Sequence, residues 1–236
     1  MIDTVRTALG RLHMGWDHVL FANWPIDPAT LRPHVPDALA IDTHDGDAYL
    51  SVVPYTNVDV RPPWMPTGTG IGLPELNLRT YVTHDAGPGV YFLSLDADGI
   101  LGVLGARLFH FLPYYNAAIT MHIADRTVRF TSDRRHPGAR ALHFEATYQP
   151  SGDPFTPDPD SLPHFLTERY RYYTEAPDGL RYADVDHPPW TLYPATATLA
   201  ADAVFTANGL TSPTTDPRLY YSPGTDTTAS GSHRLP

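Results

Sequence analysis

The chain has 236 residues, 42% hydrophobic and 11% aromatic, long enough and apolar enough for one sizeable core. Its formal net charge is -10, from 26 acidic and 16 basic residues, which argues against nucleic acid and anionic membrane surfaces as partners. Cysteine is absent, so disulfides, thiolate chemistry and cysteine-based zinc sites are excluded.

In chain order, DPATLRPHVP (27–36) reads as a short helix, capped by Asp27, opened by Pro28 and stopped by Pro36. HDGD (44–47) reads as a hairpin turn and lacks the spacing of a calcium loop. DAYLSVVPYTNVDV (47–60) reads as a long strand with Pro54 marking a bend or an edge. The Pro/Gly-rich loop 61–74 follows, with Trp64 either covering a pocket or docked on the core.

Next comes a hairpin, 75–84 and 90–97 around the turn DAGPG. Its first strand alternates. Glu75, Asn77, Arg79 and Tyr81 share one face, and Leu76, Leu78, Thr80 and Val82 the other. Such a polar row is either the wetted face of a half-buried sheet or the lining of a pocket. Asp98 then opens a helix across ILGVLGARLF, with Leu101, Leu104, Leu108 and Phe111 on one face and Arg107 at its edge.

Further strands are expected at 116–124, 127–133, 140–149, 170–175, 180–186, 190–199 and 218–222. A helix capped by Ser161 should occupy 161–170, and residues 226–236 form a loose polar tail after one domain over 1–225. Runs of strands with a few inserted helices, without a βαβ rhythm, point to an α+β fold with antiparallel sheet. No nucleotide loop, GxSxG elbow or HExxH motif is present, so neither a cofactor nor a metal site is expected. The N-terminal stretch has no signal-peptide pattern and no apolar run reaches membrane-spanning length, which leaves the cytoplasm as the default.

All 16 basic residues are arginine; the chain holds no lysine. Acidic, lysine-free composition suits a halophile's salt-loaded cytoplasm, where it keeps proteins soluble. A high-GC genome would also exchange lysine for arginine, without explaining the acidity.

The stretches FANWPID (21–27), GDAYLSVVPY (46–55), ELNLRTYV (75–82), GVYFLSLDA (89–97), AR (106–107), LPYYNA (112–117), LTERYRYY (166–173), HPPW (187–190) and YYS (220–222), taken in this order, resemble the YqjF-like family of uncharacterised proteins (domain of unknown function 2071). That family resembles a distant branch of the acetoacetate decarboxylase-like superfamily. The resemblance implies a strongly curved antiparallel sheet, closed or nearly closed into a barrel with a few packed helices, substrate held inside, and a homo-oligomer. It also implies where inheritance stops. The decarboxylases form a Schiff base through a lysine, and here the matching stretch RTYVTHDAGPGVYFL has none.

With the barrel implied, the polar row is expected to face its interior. Arg79 would clamp a carboxylate or phosphate and Glu75 would act as general acid or base, while Asn77 and Tyr81 orient the ligand. Ser94 and Asp96 share a face on the next strand, and Arg107 either joins the site or buttresses Glu75 or Asp96. Glu168 and Arg169 make a second acid–arginine pair, for ligand or as a structural salt bridge. Tyr114, Tyr115, Trp190 and Tyr221 offer aromatic walls, or simply core. The expected partner is a small-molecule ligand. A binding module for an anionic or keto-acid-like metabolite, an acid/base enzyme of lyase, isomerase or hydratase type, and a scaffold without ligand all remain open at this stage.

Overall fold

The computed structural model describes residues 11–99 and 111–235. Arg107 and most of the helix expected after Asp98 lie outside the described residues. Thirteen strands form one continuous sheet: β1 (Leu12–Ile26), β2 (Ala40–Ile41), β3 (Ala48–Arg61), β4 (Ile71–His84), β5 (Gly87–Ala97), β6 (Tyr114–Ala124), β7 (Thr127–Arg134), β8 (His143–Pro150), β9 (Arg171–Ala176), β10 (Gly179–Asp186), β11 (Tyr193–Ala200), β12 (Arg218–Ala229) and β13 (His233–Arg234). Three short helices accompany them among the described residues: α1 (Pro28–Leu31), α2 (Leu162–Thr167) and α3 (Asp202–Ala207).

The expected barrel is present, and its closure explains the whole architecture. One ring runs β5, β6, β7, β8, β11, β12, β1, β3, β4 and back to β5. Pairing is antiparallel except at β5–β6 and β5–β9, which are parallel. Two strands fork. β5 pairs with β9 at Val90 and Tyr91 but with β6 from Leu95 to Ala97. β12 pairs with β11 at Tyr220 and Tyr221 but with β10 at Thr228 and Ala229. The forks create a second closed circuit: β12, β1, β3, β4, β5, β9, β10 and back to β12. Strands β1, β3 and β4 are therefore a wall shared by two interiors.

The two faces of that wall differ as their alternation dictates. Leu20, Leu50, Val52, Leu76 and Leu78 enter the first interior, where Phe130, Phe144 and Phe205 fill the space. Full burial of each such side chain stabilises by roughly 1.5–3 kcal/mol. The opposite face of β4 presents Glu75 and Arg79 to the second interior.

Local chemistry sets the ends. The Asp27 carboxylate accepts from Ala29 N over 2.8 Å and Pro28 opens α1, while Ser161 Oγ accepts from His164 N to cap α2. Asp45 and Gly46 take positive φ in the turn expected at 44–47, where His44 bridges Asp47. Pro54 marks neither an edge nor a bend alone. β3 is central, and Pro54 lies opposite the stretch of β1 between Asp17 and Ala22 where register breaks, so its missing N–H is tolerated. Trp64 neither covers a pocket nor docks; it is 77% exposed. The stretch expected as a loose tail carries the end of β12 and β13, with Thr227, Ser232 and Leu235 buried.

Candidate functional site

The second circuit encloses a cavity of about 500 Å³, with a wall from every one of its strands. Glu75 lies inside it, 1% exposed. Cross-strand register explains its surroundings, because directly opposed residues share a face. Tyr55 stands opposite Glu75 on β3, and Asn57 one alternation further. Tyr114 arrives from β6, where it pairs with Leu95 of the cavity wall. The Tyr55 hydroxyl donates to Glu75 Oε1 over 2.6 Å; the Tyr114 hydroxyl and Asn57 Nδ2 donate to Oε2 over 2.8 and 3.2 Å.

No cation pairs with Glu75 among the described residues. Burial, only partly offset by these hydrogen bonds, pushes its carboxyl above the usual range. Burial and the neighbouring Glu75 charge push the Tyr55 and Tyr114 hydroxyls well up, so both phenols stay protonated donors.

Arg79 lines the same cavity without an acid partner among the described residues. Its Nη2 donates to Leu166 O over 3.2 Å, and its guanidinium carbon stands 5.5 Å from the Phe21 ring centre. Its Nε is buried without a hydrogen-bond partner among the described residues. Glu75 and Arg79 thus share a cavity but form no ion pair with each other. Asn77 is buried between them on β4, and its Oδ1 has no partner among the described residues.

Trp190 and Arg169 also line the cavity. Arg169 is committed elsewhere: its Nη1 binds Asp42 Oδ2 over 2.7 Å and its guanidinium lies 4.2 Å from the Phe165 ring centre. The expected Glu168–Arg169 pair is therefore split. Glu168 accepts from Trp190 N over 2.9 Å and from the Tyr170 hydroxyl.

Asn77, Glu168 and five further expected site residues sit outside the cavity lining. Asp96 stands opposite Leu76 and Ser94 opposite Leu78, so both belong to the apolar face of β4. Asp96 pairs there with Arg134 Nε over 2.7 Å, and Ser94 accepts from Asn208 Nδ2 over 3.0 Å. Tyr115 pairs with Asp96 on β6 and lies 3.9 Å under the Arg134 guanidinium. The Tyr81 hydroxyl is fully buried between Ser51 Oγ at 2.6 Å and Leu166 O at 2.8 Å. Tyr221 meets His18 Nδ1 over 2.9 Å in the first interior.

Sequence reasoning missed Tyr55 and Asn57, which alternate on β3 but carry no signal until the strand's register on β4 is known. It also missed Phe92. A bulge at Leu93 returns Phe92 to the face of Leu95, against strict alternation. Trp16, on the unexpected strand β1, stacks on Trp190 with centres 5.9 Å apart and planes at 9°. His187, quoted within HPPW but given no role, lines the cavity with its Nδ1 2.8 Å from Pro188 O. A carbonyl oxygen only accepts, so Nδ1 donates in that contact.

Solved structures with this architecture are acetoacetate decarboxylase-like. The acetoacetate decarboxylase of Legionella pneumophila superposes with a TM-score of 0.64 at 14% identity, covering 94% of this chain and 86% of that one. An acetoacetate decarboxylase-like enzyme from Sphingomonas wittichii RW1 gives 0.64 at 16% identity, over 98% and 94% of the two chains. The enduracididine biosynthesis enzyme MppR complexed with pyruvate gives 0.63 at 13% identity, over 94% and 89%. At such identities the likeness is one of fold. The uncharacterized protein YqjF of Bacillus subtilis (strain 168) is 44% identical over 207 residues, 87% of this chain and 85% of that protein. The family model DUF2071, described as an uncharacterized conserved protein, matches residues 13–226, and the chain belongs to that family. Among the described residues no helix is long and apolar enough to cross a membrane.

Proposed function

We propose that the cavity binds an anionic, keto-acid-like metabolite whose carboxylate rests on Arg79. The observation that carries this reading is a half-buried guanidinium on the cavity wall with no acid partner among the described residues and with Nε unsatisfied. An arginine so placed presents a fork that matches a carboxylate. A solved structure of like fold, MppR, is described as complexed with pyruvate, which supports ligands of this chemistry. A Schiff base through a lysine side chain is excluded, because the chain has no lysine. An open volume of about 500 Å³ speaks against a ligandless scaffold, whose interior would be packed solid.

A second reading is favoured by one observation, the Glu75 carboxyl raised by burial with no counterion among the described residues. A carboxyl poised in this way suits proton transfer at carbon or oxygen, in lyase, isomerase or hydratase chemistry. We read the acidic, lysine-free composition as adaptation to a salt-loaded cytoplasm, so measurements belong in high salt.

The test is a thermal-shift screen of keto, hydroxy and amino acids and sugar phosphates, with Arg79→Ala alongside. A ligand of the folded state raises the transition by mass action. A shift with one class of acid, lost in the variant, is expected; equal shifts in parent and variant would remove Arg79 from the site. Exchange of the ligand's carbon-bound hydrogens in D2O, abolished by Glu75→Gln, separates the enzyme from the binding module.

A further inference from the structure

We infer that the occupant is an acid bearing an apolar, ring-containing body, and not a bare short-chain keto acid. This rests on the reading that Arg79 holds a carboxylate, and concerns what fills the rest of the cavity.

The first argument is size. A space of about 500 Å³ has room for roughly sixteen waters at about 30 Å³ each. A three-carbon keto acid would replace only a few of them, on the order of three or four. Ligand sites in this range of volume ordinarily hold molecules several times larger.

The second is where the polar groups are. Along β4 the exposure falls from 53% at Ile71 to 8% at Leu73 and 1% at Glu75, which orients the cavity from mouth to interior. Its mouth is formed by Leu12, Met14, Val60, Pro62 and Ile71, together with Arg61, whose guanidinium is taken up by Asp59 and Thr67. A water there finds few of the two to four polar partners it needs. The inner end gathers Tyr55, Asn57, Glu75, Arg79 and Tyr114, while the other arginines of the lining, Arg61, Arg169 and Arg171, are paired with Asp59, Asp42 and Asp184. One polar end and one apolar end demand the same of the ligand.

The third is the nature of the walls. Trp16, Phe92, Tyr172 and Trp190 supply flat faces and edges. Such surfaces favour offset or edge-on packing with another ring over contact with a flexible chain.

Titration calorimetry of the full chain in high salt with pyruvate, phenylpyruvate and 2-oxononanoate tests the inference, with Arg79→Ala as the second protein. Burial of one phenyl ring is expected to tighten phenylpyruvate over pyruvate by roughly tenfold or more. Phenylpyruvate should also bind more tightly than the ringless acid of equal carbon count, and Arg79→Ala should weaken it. Pyruvate bound as tightly as phenylpyruvate, with both lost in Arg79→Ala, would overturn this inference and leave the carboxylate reading standing. Tighter binding of 2-oxononanoate would overturn the ring alone. Silence from all three, or affinities indifferent to Arg79→Ala, would overturn both.

Discussion

Tyr55 and Glu75 stand directly opposite each other on β3 and β4, and the phenol donates to the carboxyl over 2.6 Å. Among the described residues the acid is buried without a cation, and the groups that stabilise its ionised form are neutral donors. This pairing makes the shared wall polar on one side while its other side packs Leu76 and Leu78.

Replacing Glu75 by Gln should change how stability depends on pH. Burial raises the carboxyl above its ordinary 4.5 in the folded chain, so the fold favours its protonated form. That contribution is complete below about 4.5 and is lost as pH rises through the folded-state value. The parent should therefore lose stability relative to Glu75→Gln as pH rises, and the two curves should run closest to parallel on the acid side. Urea unfolding from about pH 4 to about pH 8 measures the difference. A constant gap between parent and variant would mean that Glu75 ionises as freely in the fold as outside it.

Tyr114→Phe deletes one donor and leaves Oε2 with Asn57 Nδ2 at 3.2 Å. A buried charged acceptor deprived of a partner costs about 1–3 kcal/mol. The loss should be larger at neutral pH than at acid pH, where the protonated acid needs the donor less. Chemical denaturation at both pH values decides it, and a pH-independent loss would point to packing of the ring alone.

How much of this was legible in the sequence depends on whether one strand or two were needed. Alternation within ELNLRTYV places Glu75 and Arg79 together on one face, and the structure gives both to the cavity. The hairpin, the capped helices and most strand positions follow from local chemistry of the same kind. What failed involves register. Asp96 looks equivalent to Glu75 until its partner Leu76 is known. Phe92 joins Leu95 only because of a bulge. β1 was missed because its alternating stretch, LHMGWD, is short and runs into Val19 to Trp24, which are all buried between the two interiors and carry no alternation. The forked strands β5 and β12 leave no local trace, yet they create the cavity.

Arg134 and Asp96 form the most deeply buried ion pair among the described residues, with side chains 2% and 1% exposed. Burial still leaves the Asp96 carboxyl above its usual range, with Arg134 opposing the rise. Arg134→Met should cost about 3–5 kcal/mol by stranding the acid. The double variant Asp96→Leu with Arg134→Met should recover much of that, because two apolar side chains replace two desolvated charges. Neither change should alter ligand affinity, since this pair lies on the far face of the shared wall. A double variant less stable than Arg134→Met would show that the pair is worth more than its desolvation.

Gly224 lies in β12 opposite Asp17, at φ +146, where an added Cβ would come within 2.4 Å of the Trp16 carbonyl oxygen. Both the backbone conformation and the contact oppose any side chain, and the obstructing atom is main chain that cannot swing away. Gly224→Ala should cost roughly 2–4 kcal/mol. Gly138 is the matched control: φ is +78 and nothing stands within 4 Å of its Cβ position, so Gly138→Ala should cost about 1–2 kcal/mol from backbone conformation only. Displacement of β1 would also move Trp16 against Trp190, so Gly224→Ala, unlike Gly138→Ala, should change the tryptophan fluorescence of the folded protein. Equal losses in the two variants, with identical spectra, would show that β12 yields to the side chain without disturbing the cavity wall.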